Sequence, residues 1–428
     1  MRMKFNKPSQ LALAAVASLA AATLVTACSQ LTETLTVDFV YVASNKAAGA
    51  NDYGQIDIFE IDSESGKMRQ IPASPFPSQG RNPVAETVSS DNANLFVANQ
   101  DDNTIVQFAI GSDGKLYPYN TVNTAGIYPL ALTATKTNLF VLDTYQPLPI
   151  CSTAVPCSGS IGVIPLVAAT STTPITMEPN LPVNSCNGAQ YVPLALSGAA
   201  ASDIVAPTGI NVLANGSTLF VTAHDTTANK GYVYGFTIGS QQCTVNGAGV
   251  TIATLTPVPG SPFAAGIQPS SVGSDSSSTY LYVTDFASSQ VRAYTVAGSG
   301  ALTPLSGSPF ASGNQPSAIA IDQHYPYAYV ANSLDSTVTA YSMSNGALTS
   351  LGTYATGLNP VAIGIDPSTS HFVYTANFLG NNVSGFELST GAGTLLQSQF
   401  SPFSATAQPA AVAAIPHNGT GGGLSNTP

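Results

Sequence analysis

Histidine is the side chain best suited to proton transfer near neutral pH, and this chain of 428 residues has four of them. His224 stands directly beside Asp225 at the end of an apolar run. We therefore take His224 and Asp225, with Arg81 as the accompanying cation, as candidate catalytic residues. Adjacent residues of a strand point to opposite faces, so a turn or loop role for His224 stays open.

The other three histidines have simpler explanations. His324 and His371 fall in predicted turns, where exposed polar residues are common, and His417 belongs to the C-terminal tail. The chain lacks the Gly-x-Ser-x-Gly, Ser-x-x-Lys and His-Glu-x-x-His motifs, so serine hydrolase and zinc protease chemistry are not indicated. The acidic groups at 57–62 and 101–103 lack the spacing of a calcium loop. The sequence predicts neither a metal site nor a cofactor.

The N-terminal segment predicts export. Residues 11–27 are almost wholly small or apolar and follow three basic residues, which is typical of a signal peptide. The ending Leu24-Val25-Thr26-Ala27-Cys28 resembles the bacterial lipobox. That resemblance implies removal of residues 1–27, a diacylglycerol on Cys28 and a tether over 28–38. Because Ser29 rather than Asp follows the cysteine, it also indicates the outer membrane, on the periplasmic or cell-surface side.

The remaining four cysteines predict two disulfides, because an exported protein meets oxidising conditions. Three pairings are possible, and the spacing favours Cys151 with Cys157 and Cys186 with Cys243. All four lie in or beside residues 144–206, a predicted insertion that either carries function or protects a sheet edge.

Composition favours strands and argues against a nucleic-acid partner. Charged residues make up only 8% of the chain, and the formal net charge is −11. An acidic protein without a basic stripe repels phosphate backbones, so DNA and RNA are unlikely partners. Abundant Thr, Ser, Val, Gly and Pro suit short strands joined by frequent turns.

One short motif, an aromatic residue and two small or apolar residues followed by a small or polar residue, occurs seven times. The copies are Tyr41–Ser44, Phe96–Asn99, Phe140–Asp143, Phe220–Ala223, Tyr282–Asp285, Tyr329–Asn332 and Tyr374–Asn377. The shortest intervals are about 45 residues, which is enough for four short strands.

Upstream of the later six copies, and again near the C-terminus, stands a residue followed by proline. The pairs are Asn82-Pro83, Tyr128-Pro129, Ala206-Pro207, Gln268-Pro269, Gln315-Pro316, Asn359-Pro360 and Gln408-Pro409. Proline is tolerated at the first residue of a strand and favours an extended residue before it. Each pair therefore predicts the start of a buried inner strand, with the aromatic motif as the second strand.

The two ends of the chain complete each other. The last pair precedes a strand-like segment at 411–415, whereas the first aromatic motif has no inner strand before it. We therefore predict an all-β, seven-bladed β-propeller of four-stranded antiparallel blades over 39–416, closed by the C-terminal strand, with a flexible tail over 417–428. An open solenoid would leave both end units with exposed edges.

The Tyr329–Asn332 and Tyr282–Asp285 motifs resemble YVTN-type propellers of the lactonase family, which includes 6-phosphogluconolactonase. The absence of Trp excludes blades of the WD40 type. The resemblance implies His and Arg residues beside the inner prolines. Here the residues that follow those prolines are Val84, Leu130, Thr208, Ser270, Ser317, Val361 and Ala410, none of them basic. This departure argues against an anionic sugar phosphate as substrate.

The residues before the inner prolines should surround one mouth of the channel. Asn82, Tyr128, Gln268, Gln315, Asn359 and Gln408 are the candidate ligand-binding residues there, because amides bind sugars and peptide bonds. Turn formation is an equally good explanation of them. The favoured function is therefore a membrane-anchored, monomeric binding module for an envelope protein, peptide or glycan. The alternative is a lactone hydrolase or isomerase of the lactonase family.

Overall fold

A computed structural model describes residues 36–45, 52–62, 65–167, 175–177, 191–196, 203–245, 248–367 and 370–416. Cys28, Cys186 and His417 lie outside the described residues, as do the predicted signal peptide, most of the tether and the whole predicted tail. The described residues form strands arranged in seven antiparallel sheets. Among them, no helix has the length and apolar character needed to cross a membrane.

The strands follow one another blade by blade along the chain. Blade 1 holds β1 (Thr36–Ser44), β2 (Gln55–Asp62), β3 (Met68–Gln70) and β4 (Phe76–Pro77). Blade 2 holds β5 (Pro83–Val88), β6 (Asn94–Asn99), β7 (Thr104–Ile110) and β8 (Leu116–Asn123). Blade 3 holds β9 (Ile127–Ala134), β10 (Asn138–Tyr145), β11 (Ser160–Val167), β12 (Thr176–Met177) and β13 (Tyr191–Pro193). Blade 4 holds β14 (Val205–Val212), β15 (Thr218–Asp225), β16 (Lys230–Val245), β17 (Ala248–Pro257) and β18 (Phe263–Ala264).

The remaining blades have the same order. Blade 5 holds β19 (Pro269–Ser274), β20 (Tyr280–Asp285), β21 (Gln290–Val296), β22 (Leu302–Pro304) and β23 (Phe310–Ala311). Blade 6 holds β24 (Pro316–Ile321), β25 (Tyr327–Asn332), β26 (Thr337–Ser344) and β27 (Ala347–Ala355). Blade 7 holds β28 (Pro360–Ile365), β29 (Phe372–Asn377), β30 (Asn382–Leu388), β31 (Leu395–Gln397) and β32 (Phe403–Ser404). The last strand, β33 (Pro409–Pro416), returns to blade 1.

The C-terminal strand closes the ring, which confirms the prediction. β33 pairs with β1 along its length, from Asp38 opposite Pro416 to Ser44 opposite Pro409. Inner strands of neighbouring blades contact each other in the cycle β33, β5, β9, β14, β19, β24, β28 and back to β33. The first and last segments of the chain therefore share one sheet, and blade 1 obtains its inner strand from the C-terminus.

The repeated aromatic motif is the second strand of each blade, and both of its faces are buried. In β1, Tyr41 packs between blades 1 and 2, whereas Val40 and Val42 pack between blades 1 and 7. Seven such apolar clusters each join two consecutive blades around the ring. Burial on two faces explains why the run is continuously apolar rather than alternating. Each fully buried aromatic side chain contributes roughly 1.5 to 3 kcal/mol to folding.

Where the motif ends in Asp, that carboxylate holds the loop that enters its own blade. Asp285 accepts hydrogen bonds from the backbone N–H groups of Ile267 and Gln268. Asp143 accepts one from the N–H of Gly126 in the corresponding loop. These carboxylates are buried and satisfy loop amides that would otherwise lack partners, so in these blades the polar end of the motif is structural.

The repeated Ser-Pro-Phe segments also have a structural role. The hydroxyl oxygens of Ser74, Ser261, Ser308 and Ser401 each accept a hydrogen bond from a backbone N–H in the third strand of their blade. The phenylalanine after each proline then begins or belongs to a two-residue strand that pairs with the same third strand. The segment therefore returns to its own blade before the chain passes to the next.

The cysteines in the described part of the chain are oxidised. Cys151 and Cys157 form a disulfide across a short loop, with their Cα atoms 5.5 Å apart, as predicted. Cys243, on β16, is also disulfide-bonded. Because Cys186 lies outside the described residues, its pairing with Cys243 stays a prediction. β11, which falls within residues 144–206, supplies the third strand of blade 3.

Candidate functional site

The channel has two chemically different mouths. The inner prolines of adjacent blades lie at the same level, because Ser270 donates to the carbonyl of Pro316 and Ser317 donates to that of Pro360. We call the end where the inner strands begin the entry mouth and the opposite end the exit mouth. The predicted ligand-binding residues all stand at the entry mouth.

The backbone at the entry mouth differs from the prediction. Five residues before the inner prolines have left-handed φ angles rather than extended ones: Asn82 (55°), Tyr128 (58°), Gln315 (54°), Asn359 (58°) and Gln408 (45°). The expectation of an extended residue was therefore wrong at these positions. The following proline disfavours the right-handed helical region, and the sharp turn into the inner strand selects the left-handed one, which Asn tolerates well.

Hydrogen bonds fix these turns. The carbonyl of Asn82 accepts from the N–H of Gln100, and that of Gln315 accepts from Ser333. Equivalent bonds join Asn359 to Phe378, Gln268 to Phe286 and Gln408 to Asn45. In each case the donor is the residue directly after the aromatic motif. These positions therefore have a structural role in the turn.

The side chains at the entry mouth fall into two groups. The amide of Asn82 donates to Gln100 Oε1 at 3.2 Å and to Asp101 Oδ1 at 3.1 Å. Tyr128 packs edge-on against Tyr145, with ring centroids 6.0 Å apart. By contrast, three glutamine side chains make no hydrogen bond to any residue that the structure describes. They are Gln268, Gln315 and Gln408.

The structure does not bring the candidate catalytic residues of the sequence together. The guanidinium of Arg81 binds Asp102, with Nε 2.6 Å from Oδ1, and this contact raises the pKa of Arg81. His224 Nε2 lies 3.0 Å from Asn229 Oδ1 in the β15–β16 turn. The carboxylate of Asp225 caps the same turn by accepting the N–H groups of Thr227 and Ala228. Arg81 and His224 thus belong to blades 2 and 4, and each has a local partner.

The exit mouth holds a cavity of about 300 Å³ between blades 4 and 7. Its walls combine apolar ends of inner strands with polar side chains. The polar lining residues are Asn211, Ser274, Gln323, His324, Asp366 and Ser370. No Lys or Arg belongs to the described residues that line it. His224 and His371 do not line it either, so His324 is the one described histidine that faces this cavity.

A hydrogen-bonded chain between blades 6 and 7 orients His324. The hydroxyl of Ser370 donates to Asp322 Oδ1 at 2.8 Å, and His324 Nδ1 lies 3.0 Å from the same hydroxyl oxygen. Because the hydroxyl proton points to the carboxylate, Nδ1 carries the ring proton and donates it to the serine oxygen. Nε2 is then the basic nitrogen, and it makes no hydrogen bond to any described residue.

The groups behind this chain are rigidly held. Asp322 is 2% exposed and Ser370 is 1% exposed. Asp322 Oδ1 also accepts the backbone N–H of His324 at 2.8 Å and that of Tyr325 at 3.1 Å. In blade 7, Asp366 Oδ2 accepts the N–H of His371 at 3.2 Å.

The described residues contain no cluster of three or more His, Cys, Asp or Glu side chains that could hold a metal.

Sequence reasoning placed His324 in an exposed turn and gave it no function. The turn itself is real, because Asp322 accepts the backbone N–H of the residue two positions on, as Asp275 does in the corresponding turn of blade 5. The missing observation was the contact with Ser370, 46 positions along the chain and in the next blade. No local pattern contains that contact.

Comparison with protein families agrees with the fold. The model of the family described as "Lactonase, 7-bladed beta-propeller" matches residues 13–127, 53–146 and 190–413. The chain belongs to this lactonase family. A search of curated proteins found no match.

Solved structures show the same lactonase architecture. A proposed 6-phosphogluconolactonase of Bacteroides fragilis is 18% identical, with a TM-score of 0.69, over 90% of this chain and 99% of the other. The periplasmic gluconolactonase of Pseudomonas aeruginosa is 17% identical, with a TM-score of 0.63, over 89% and 99% of the two chains. At these identities the likeness shows the fold.

Proposed function

We propose that this lactonase-family propeller hydrolyses an uncharged lactone at the exit mouth, with His324 as the general base. The observation that carries the proposal is the position of His324, whose Nδ1 is held by Ser370 and whose Nε2 is free at the edge of the cavity. Family membership and the two lactonase-type neighbours support the reaction class.

The reaction needs only the groups present at this mouth. Nε2 of His324 takes a proton from a water molecule as that water adds to the lactone carbonyl. The ring C–O bond then breaks, and the imidazolium returns the proton to the departing alkoxide, so the product is a hydroxy acid. Asp322, acting through Ser370, holds the imidazole in the required tautomer and stabilises its cationic form.

The charge of the cavity indicates the substrate class. Asp366 contributes a carboxylate to the wall, and the described residues that line the cavity include no Lys or Arg. A phosphorylated lactone would meet repulsion and find no bidentate partner. A neutral sugar lactone would instead meet the amides of Asn211 and Gln323. The proposed substrate is therefore closer to gluconolactone than to its phosphate.

The test is acid release from gluconolactone and from 6-phosphogluconolactone, with spontaneous hydrolysis subtracted. We expect turnover of the neutral lactone, and a loss of about 100-fold or more in kcat/KM on His324→Gln. His224→Gln is the matched control at the other mouth and should stay within about twofold of the wild type. Equal turnover in wild type and His324→Gln, or a preference for the phosphorylated lactone, would refute the proposal.

A further inference from the structure

Three leucines of high exposure lie on the entry face of blades 6 and 7. Leu334 is 63% exposed, Leu358 is 61% exposed and Leu379 is 62% exposed. Single exposed leucines are common on protein surfaces, but grouped ones indicate a contact site. We refer to Leu334, Leu358 and Leu379 as the apolar rim.

Hydrogen bonds between the three loops hold the rim residues side by side. The N–H of Thr356 donates to the carbonyl of Ser336 at 2.9 Å, which joins the Leu358 loop to the Leu334 loop. The N–H of Gly380 donates to the carbonyl of Leu358 at 3.0 Å, which joins it to the Leu379 loop. The rim residues thus lie on three loops whose backbones are hydrogen-bonded together, and binding would cost little ordering of the protein.

Polar groups beside the rim can pair with a peptide backbone. Gln315 stands at the start of the inner strand of blade 6 and Gln408 at that of blade 1, and neither side-chain amide is hydrogen-bonded to a described residue. Each amide offers both a donor and an acceptor, which is what a peptide group requires. An apolar strip next to free amides suits an extended chain with alternating side chains.

The charge of this sector indicates which side chains the partner carries. From residue 293 to the C-terminus the sequence contains no Lys or Arg, whereas Asp335 lies directly beside Leu334. Asp335 is fixed by the N–H of Asn314 at 2.7 Å and by its side-chain amide at 2.9 Å. A basic partner would therefore find a carboxylate with no competing cation in this sector.

We propose that the apolar rim is a docking surface for an extended peptide segment that alternates apolar and basic residues. The apolar side chains cover the three leucines, the backbone pairs with the free glutamines, and a lysine or arginine meets Asp335. This site lies at the opposite mouth from His324, so it is independent of the proposed hydrolysis.

The test uses fluorescence anisotropy with a labelled ten-residue peptide of alternating Leu and Lys. Two comparison peptides replace all Lys by Glu or all Leu by Ser. We expect the Leu/Lys peptide to bind and both comparison peptides to bind at least about tenfold more weakly. Equal binding of the Glu-containing peptide would overturn the charge argument, and equal binding of the Ser-containing peptide would overturn the role of the leucines.

Protein variants locate the site. The triple change Leu334→Ser, Leu358→Ser and Leu379→Ser should weaken binding about tenfold or more, because the apolar contact is lost. Leu396→Ser is the matched control, since Leu396 is 65% exposed on β31 at the outer edge of blade 7. Equal weakening by the control would overturn the proposal, as would an unchanged affinity in a triple variant whose unfolding midpoint is normal.

A lipid surface is the competing occupant, and the same variants distinguish it. Vesicles of phosphatidylcholine with phosphatidylglycerol are sedimented with the wild type and the triple variant. Retention of the wild type by these vesicles, lost in the triple variant, together with no peptide binding, would replace the peptide proposal by a membrane contact. Peptide binding without vesicle retention supports the proposal as stated.

Discussion

The two mouths of the channel are formed by the two ends of the same inner strands, and their chemistry differs. At the entry mouth, the turn carbonyls, His224 and Arg81 each have a hydrogen-bond partner in their own blade. At the exit mouth, Ser370 of blade 7 reaches Asp322 and His324 of blade 6, beside a cavity. The comparison teaches that residues repeated in every blade build the frame, whereas the proposed catalytic histidine lies where one blade departs from the repeat.

The largest effect is expected from a deletion that disrupts the ring and therefore both mouths of the channel. Deleting residues 409–428 takes away β33, which pairs with β1 and packs against β5 and β28. We expect loss of cooperative thermal unfolding by circular dichroism, because the inner edge of blade 1 and the faces of two neighbours become exposed. Deleting only residues 417–428 is the control and should leave the transition in place. A normal transition after the longer deletion would contradict the closure of the ring by β33.

A buried carboxyl lies between the two mouths. Glu86 is the third residue after the inner proline Pro83, a position at which the other six inner strands have an apolar residue. Neither carboxyl oxygen has a hydrogen-bond partner among the described residues, and burial raises its pKa to about 8. The backbone amides of Ala43 and Ala413 lower the pKa, but burial is the larger influence. The folded protein therefore prefers a protonated Glu86.

The carboxyl of Glu86 should have a smaller effect on stability than the deletion, and that effect should depend on pH. Below pH 4.5 Glu86 is protonated in both states, whereas between about 4.5 and 8 only the folded state keeps the proton. Its contribution to stability is thus complete at low pH and falls by up to about 1.4 kcal/mol per pH unit across that window. The free energy of unfolding can be measured with urea at pH 5, 7 and 8.5. As the pH rises, it should fall less steeply in Glu86→Gln than in the wild type.

The difference between the two curves isolates Glu86 from other groups. Asp143, whose pKa burial raises to about 7, titrates in the same window and is present in both proteins. If the free energy of unfolding had the same pH dependence in the wild type and in Glu86→Gln, the carboxyl would be solvated in the folded protein. That result would contradict its buried position. Because Glu86 lies on neither mouth, lactone turnover at pH 7 should be similar in both proteins.

The smallest expected effect comes from the residues that sequence reasoning favoured for catalysis. The double change Arg81→Ala and His224→Ala removes two partly exposed contacts at the entry mouth. Exposed ion pairs contribute little to stability, so the thermal midpoint should barely move. Turnover of gluconolactone should stay within about twofold of the wild type. A loss as large as that of His324→Gln would transfer the active site to the entry mouth.

Much of the fold could be predicted because each element has a local signature. The seven aromatic motifs predicted seven second strands, and the unmatched ends predicted a shared blade; both predictions are confirmed. The disulfide between Cys151 and Cys157 is confirmed as well. The extended conformation predicted for the residues before the inner prolines was wrong at five positions. A following proline disfavours only the right-handed helical region, and the geometry of the turn determines which of the other regions is adopted.

The candidate site was harder to predict, because side-chain partners depend on packing between blades. Asp225 beside His224 looked like a catalytic pair, yet adjacent strand residues diverge and each bonds the turn. His324 looked like an ordinary turn residue, and its partner Ser370 belongs to another blade. Neighbours in the sequence therefore do not pair at the entry mouth, whereas residues 46 positions apart do pair at the exit mouth.

By itself, the sequence determined the blade count, the strand order and the closure, because apolar runs with polar ends and strand-entry prolines act through the local backbone. Tertiary structure alone decided which side chains meet across blades: the Asp322, Ser370 and His324 chain, the connected apolar rim and the isolated Glu86. The physical reason is that hydrogen bonds and burial act over a few ångströms, and ring closure sets which residues come that close.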